Sequence, residues 1–255
     1  MASEASVDKA GAPPPFDEAK PVDQDKPQIE QAKIPDEQMG VFECIATRRS
    51  IRKFMRVDVP MELLGAVLDA GRYAPSSGNV QNWRYIIIKN PDTINKIADA
   101  CLQQLWIAEA PTIVVVCAET EKLSQFYGIR GERLYAVQNC SASIQNMLLA
   151  AHGIGLASCW VGAFDENILR RILNIPDDIR PQAVLPIGYA DEIVPAPMHL
   201  TLENVSYFES YGNRIINFER VTQNPNVAGK IQDQIQNWTG IGKDVINKAK
   251  KKFMK

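Results

Sequence analysis

Histidine is scarce in this chain: only His152 and His199 occur in 255 residues. Neither sits in an HExxH or beside a Cys/His cluster, which excludes the usual zinc arrangements, and no metal is expected. Cysteine is few and odd in number, with Cys44, Cys101, Cys117, Cys140 and Cys159 showing no CxxC pair and mostly apolar neighbours. That set reads as reduced, buried thiols of a cytoplasmic protein and excludes a disulfide framework. Long hydrophobic runs are missing. The longest, IVVVCA at 113–118, falls far short of the roughly 20 residues that a membrane-crossing helix needs. The N-terminus is acidic and lacks the apolar stretch of a secretory signal. Familiar catalytic and nucleotide motifs are absent too. GIGLAS at 153–158 follows a helical pattern and contains no GxGxxG, no P-loop occurs, and Ser76 and Ser77 lack a GxSxG setting. The paired acids Asp177/Asp178 and Asp191/Glu192 lie beside turn signals and read as solvated, and His152 as a residue of a helix's last turn, where a cation is mildly favoured.

What is there falls into three zones. Residues 1–38 hold six prolines, nine acidic residues and four lysines, with almost no large apolar side chains. Such a stretch buries too little surface to offset its ordering entropy and is expected to be disordered. The whole chain carries net charge −2, so setting this acidic tail apart leaves a slightly basic body. Residues 39–218 alternate between helical and strand periods. From 219 onward QNPN marks a linker, and Trp238, Ile241, Val245, Ala249 and Phe253 recur at helical spacing among six lysines. This extension reads as a basic amphipathic helix. It either docks on its own or a partner subunit, the commoner outcome, or touches a membrane surface or nucleic acid.

Within 39–218 a short helix is expected from Phe42 to Thr47, and a second over 61–74 with Pro60 suited to its first turn. Strands are expected at 83–89 and 112–118, with a helix over 92–107 between them. A long helix over 132–152 stops at Gly153 and Gly155. SCWVG reads as a short strand, DENILRRILNI as a helix capped by Asp165, and QAVLPIGYA as a final strand. The stretch 119–131 (ETEKLSQFYGIRG) reads as a surface loop, with Tyr127 and Arg130 placed to meet a substrate if it acts as a lid. Mixed order of this kind indicates an α+β fold with helices packed around one sheet.

Two segments carry chemistry. TRRSIRKF at 47–54 places Arg48, Arg49, Arg52 and Lys53 within six residues. If the segment is extended, Arg48, Ser50 and Arg52 face one side and Ile51 the other. Arginine forks with a hydroxyl between them suit a phosphate group. A solvated basic turn with Ile51 and Phe54 in the core is the competing reading, and on these eight residues alone the commoner one. APSSGNVQNW at 74–83 packs Pro75, Ser76, Ser77, Asn79 and Gln81 between a helix and a strand. It is either an ordinary connecting loop or one whose amides and hydroxyls meet a flat heteroaromatic ligand.

Taken in order, TRRSIRKF, APSSGNVQNWRYIIIK, NCSASIQNMLLAAHGIGLASCWVGAFDE and LPIGYADE resemble the motifs of the nitroreductase family of flavoproteins over about residues 40–215. The resemblance implies a homodimeric three-layer α-β-α sandwich with a mixed, mainly antiparallel sheet and FMN sites at the subunit interface. It implies that Arg48, Arg49, Ser50 and Arg52 hold the phosphate and ribityl end, with His199 beside them. Pro75, Ser76, Ser77, Asn79 and Gln81 would line the flavin, from the other subunit, and the backbone of Gly162 and Ala163 would lie against the ring near N5. The implied activity is an NAD(P)H-dependent oxidoreductase passing a hydride through the flavin to a nitroaromatic, a quinone or a similar acceptor. Two alternatives stand beside it: a relative with reductive dehalogenase-like or flavin-modifying chemistry, and a non-catalytic dimeric binding module. Three departures from the family pattern matter. Where a Lys or Arg pair often completes the phosphate site, MHLTLENV offers only His199; the usual QPW is QNW, with Asn82; and an aspartate often found early in the long helix is Asn139.

Overall fold

A computed structural model describes residues 39–215 of the chain. The acidic tail at 1–38 and the basic helix expected within 219–255 lie outside the described residues.

Four strands form one sheet in the order β1-β2-β4-β3, every neighbour antiparallel. β1 (Trp83–Ile88) pairs with β2 (Thr112–Glu119) from Trp83↔Ala118 to Ile88↔Ile113. β2 then pairs with β4 (Ile179–Gly188), with a bulge between Val116 and Cys117, and β4 carries the two-residue β3 (Ala157–Ser158) at the edge. Among the described residues the only parallel pairing is an isolated bridge between Ser50 and Ser158.

Seven helices occur among the described residues: α1 (Val41–Thr47), α2 (Met61–Arg72), α3 (Pro91–Ala100), α4 (Thr120–Arg130), α5 (Ala136–Gly153), α6 (Glu166–Leu173) and α7 (Leu202–Val205). The alternation of β2 explains why the sheet is covered on two faces. Val114, Val116 and Ala118 pack with Leu64 and Val67 of α2 and Ile144 and Met147 of α5. Ile113, Val115 and Cys117 pack with Ile94 and Ile97 of α3 and Leu169 of α6. A strand buried on both faces reads as a continuous apolar run, as TIVVVCA does. The result is a three-layer α-β-α sandwich. α2 and α5 approach closely at Gly71, where a Cβ would lie 2.7 Å from Met147 Cγ. Beside them the buried Tyr85 hydroxyl meets Ser143 Oγ at 2.6 Å.

Several expectations need correction. The helix expected over 92–107 stops at Ala100, because Leu102 and Gln103 adopt φ of 56° and 58°; a single 3₁₀ turn, Leu105–Glu109, follows. Two adjacent left-handed residues of these types leave no sequence signal. The stretch 119–131 is a helix and not a loop. Its fully buried Leu123 anchors it to the core, and Gly128 bends it at φ 57°, ψ −150°. The long helix begins only at Ala136, after one wider turn over Gly131–Tyr135. A Cβ at Gly131 would sit 2.3 Å from Leu123 O, so the chain enters that turn where only glycine fits. The strand in SCWVG is reduced to Ala157–Ser158 plus a bridge from Val161 to Val184. All five cysteines are free and buried, and burial pushes the thiols of Cys101, Cys117 and Cys140 up to about 12. Among the described residues no helix is long and apolar enough to cross a membrane.

Candidate functional site

The basic segment leaves α1 at Arg48, whose N–H still bonds Cys44 O while its ψ of 135° turns the chain extended. The Ser50–Ser158 bridge and the bond from Ile51 N–H to Ser158 O fix the register. Ile51 and Phe54 then enter a small core with Ala110 and Ala157, and along the extended stretch Arg48, Ser50 and Arg52 alternate with the buried Ile51. Arg48 and Ser50 are half-buried, and the exposed Arg52 guanidinium stands 5.8 Å over the Trp106 ring. All three act on the same group, Cys159: burial raises its pKa, Arg52, Ser50 and Arg48 each work against that rise, and Glu192 adds to it.

The nearby carboxylate of Glu192 is spent on backbone, accepting from the N–H groups of Arg52 (2.6 Å) and Lys53 (3.1 Å). No ion pair among the described residues engages the guanidinium of Arg48, Arg49 or Arg52. Arg49 has a different task. Its Nη1 donates to Ala46 O and Arg48 O, capping the C-terminal end of α1, and its buried Nε has no partner among the described residues.

His152, in the last turn of α5, is held neutral. Burial first, then Arg48 and Arg49, push its pKa down to about 4. This corrects the expectation of a favoured cation there: burial first, and then the arginines, outweigh the helix end. Its Nε2 lies 2.8 Å from Thr47 Oγ1, which in turn donates to Glu43 O. The segment is therefore a concentration of positive charge without a carboxylate partner, joined by a hydroxyl, and it fits a phosphate group.

The second segment forms a tight loop between α2 and β1. Gly78, Asn79 and Gln81 all take positive φ (56°, 56° and 50°). Gln81 N–H donates to Ser76 Oγ, and Gln81 Nε2 to Asn79 Oδ1. Asn139 of α5 accepts from both the N–H and the hydroxyl of Ser77, while its Nδ2 donates to Asn82 Oδ1 at 2.8 Å. Asn82 and Asn139, two of the three departures noted in the sequence, are thus in contact. Pro75, Asn79 and Gln81 are exposed, and Ser76 and Ser77 half-buried.

Gly162 and Ala163 follow the Val161–Val184 bridge and are exposed. Among the described residues nothing accepts from their N–H groups, while Ala163 O takes Gln104 Nε2 at 3.3 Å. Tyr127 lies against the loop: a Cβ on Gly78 would fall 2.3 Å from its hydroxyl. Arg130 donates from Nε to Tyr135 OH at 3.0 Å. His199 is exposed and makes no hydrogen bond or ion pair to the arginines.

Within the chain these groups form two sets. His152, beside the arginines, and Asn139, beside Ser77, are thirteen residues apart on α5, about 20 Å along a helix axis. Sequence reasoning missed His152, Glu192, Trp106 and the Asn82–Asn139 contact as parts of these sets. Each acts through a partner more than 50 residues away, and no local pattern signals that.

The nitroreductase family model matches residues 45–129 and 103–189. A Methanothermobacter thermautotrophicus protein provisionally named NADH dehydrogenase/NAD(P)H nitroreductase is 36% identical over 160 residues, covering 60% of this chain and 79% of the relative. A Bacillus subtilis protein named FMN reductase [NAD(P)H] is 29% identical, covering 68% and 75%. Among solved structures, a nitroreductase family protein from Clostridium difficile superposes with a TM-score of 0.60 at 31% identity, covering 68% of this chain and 99% of that one. With the motifs in order, the sandwich fold and these matches in agreement, the chain belongs to the nitroreductase family.

Proposed function

We propose that this protein is an NAD(P)H-dependent FMN oxidoreductase. The observation that carries the reading is the grouping of Arg48, Ser50 and Arg52 along one extended stretch, with no ion pair to either guanidinium among the described residues and the neighbouring Glu192 carboxylate bonded to backbone N–H groups. A phosphate monoester brings nearly two negative charges and three acceptor oxygens to such a place. Arg49 supports it indirectly by fixing the end of α1 from which Arg48 projects.

Bound FMN would accept a hydride from NAD(P)H and return the electrons to an organic acceptor such as a nitroaromatic or a quinone. The protein then needs no nucleophile or strong acid of its own, in keeping with buried thiols and a neutral His152. Its residues bind and orient. Arg48, Ser50 and Arg52 hold the phosphate, and the N–H groups of Gly162 and Ala163 are donors available to the ring at N5. Pro75, Ser76, Ser77, Asn79 and Gln81 line the ring, and Tyr127 and Arg130 flank the acceptor. His199 contributes little, so Arg48 and Arg52 carry the phosphate without a basic pair beside it.

The separation of the two sets along α5 favours a homodimer in which the arginines of one subunit and the 75–81 loop of its partner serve one FMN. Mixing two inactive variants tests this together with the activity. Arg48→Gln and a deletion of Ser77–Asn79, each assayed for oxidation of NADH or NADPH with a quinone at an FMN concentration too low to load it alone, would recover up to about a quarter of wild-type activity when unfolded and refolded together, if subunits pair at random. No recovery, with both variants folded and dimeric, would overturn the shared site.

A further inference from the structure

The loop at 76–81 is built against its own backbone preferences. Three of its residues, Gly78, Asn79 and Gln81, are left-handed, and two of the three are not glycine. Residues in that region persist only where their surroundings over-determine them. The internal bonds, Gln81 N–H to Ser76 Oγ and Gln81 Nε2 to Asn79 Oδ1, tie the loop to itself and leave its placement on the fold unexplained.

That placement comes from one side chain of the neighbouring helix α5. Asn139, 4% exposed in the first turn of α5, takes two bonds from the loop's entry through a single oxygen: Ser77 N–H at 3.0 Å and Ser77 Oγ at 3.2 Å. Its amide nitrogen donates to the loop's exit, Asn82 Oδ1, at 2.8 Å. Asn82 is fully buried, and its carbonyl accepts Glu119 N–H at 2.7 Å, so the exit is tied to β2 as well. Gripping both ends in this way needs an acceptor and a donor in one side chain, which an amide has and a carboxylate or an aliphatic group lacks. Tyr127 closes the remaining side over Gly78.

We infer that Asn139 is a positioning residue that clamps both ends of the 76–81 loop and, through Ser77, sets how that loop meets the flavin. This rests on the FMN reading above and goes beyond it. Asn139 touches no cofactor itself. It acts by removing the loop's freedom, so that Ser76 and Ser77 are already in place when the ring arrives. Asn82 is its second anchor, and its own Nδ2 has no partner among the described residues, so the Asn139 bond is all that orients this buried amide.

The test compares wild-type protein with Asn139→Leu, which keeps the branched side-chain skeleton and removes both halves of the clamp. A second variant, Asn82→Ala, removes the exit half alone and serves if Asn139→Leu does not fold. Amide hydrogen exchange at Ser77 is measured without flavin. Expected is at least about a tenfold acceleration in Asn139→Leu and a smaller one in Asn82→Ala, with exchange in β2 unchanged. The midpoint potential and visible circular dichroism of bound FMN are then measured, and both are expected to shift, with about tenfold weaker FMN binding. Wild-type exchange at Ser77 in a folded variant would overturn the clamp. Faster exchange with an unchanged potential and dichroism would overturn its action on the flavin. Wild-type protein that takes up no FMN would refute the flavin reading, while the exchange comparison would still decide the clamp.

Discussion

Replacing Arg48 with glutamine should weaken FMN binding while leaving the protein without flavin as stable as before, or more so. Arg48 is half-buried, has no carboxylate partner among the described residues, and lies near Arg49 and His152. In the flavin-free protein its charge is repelled by Arg49, whose pKa is lowered first by burial and then by Arg48. Removing it relieves that repulsion and lets His152 titrate closer to its ordinary value. With phosphate present, the same charge makes charge-assisted hydrogen bonds, each contributing about 1.5–3 kcal/mol. At 1.4 kcal/mol per factor of ten, one lost bond raises the FMN dissociation constant about 10- to 150-fold. Fluorescence titration of FMN gives the affinity, and urea unfolding of flavin-free protein gives the stability. An unchanged dissociation constant would refute the placement of phosphate at Arg48. A loss of flavin-free stability above about 1 kcal/mol would refute the claim that this charge is unpaired, because an ordinary surface substitution stays within about 0.5 kcal/mol.

Four further outcomes follow from the geometry. His152 has a folded pKa near 4, below its unfolded value. Flavin-free protein should therefore lose stability as pH falls from about 6.5 to 4, by on the order of 2 kcal/mol, and His152→Asn should flatten that slope in urea midpoints. Leu185→Ala, at a fully buried position on β4, should cost about 2–5 kcal/mol in the same assay. Gly78→Ala meets both a φ of 56° and the Tyr127 hydroxyl, so it should lower the melting temperature; Tyr127→Phe should recover only the steric part. Every cysteine is buried, and burial raises each thiol's pKa. An aromatic disulfide reagent should therefore label none of them in native protein and all five after unfolding, as read by mass spectrometry.

The layers of the fold were legible because burial writes itself into composition. TIVVVCA is apolar at every position since β2 is covered on both faces, and α2 repeats apolar residues at the spacing its single buried face requires. Asp165 announced α6 through its side chain, which accepts from Ile168 N–H. The breaks were not legible. The end of α3 depends on Leu102 and Gln103 taking a conformation that their side chains disfavour, and α4 is secured by the burial of Leu123. At the site, the burial of Ile51 and Phe54 was readable from TRRSIRKF alone. The state of His152 was not, because it depends first on burial and then on two arginines more than a hundred residues earlier in the chain. The clamp at Asn139 was equally hidden, since it joins α5 to a loop some sixty residues away.

The most direct test of the account is the visible absorption spectrum of the protein reconstituted with FMN, recorded anaerobically before and after one equivalent of NADH or NADPH. The account predicts a yellow protein whose flavin band bleaches on addition of the nicotinamide and returns when a quinone is added. A folded protein that takes up no FMN, or a bound flavin that neither nucleotide bleaches, would contradict it.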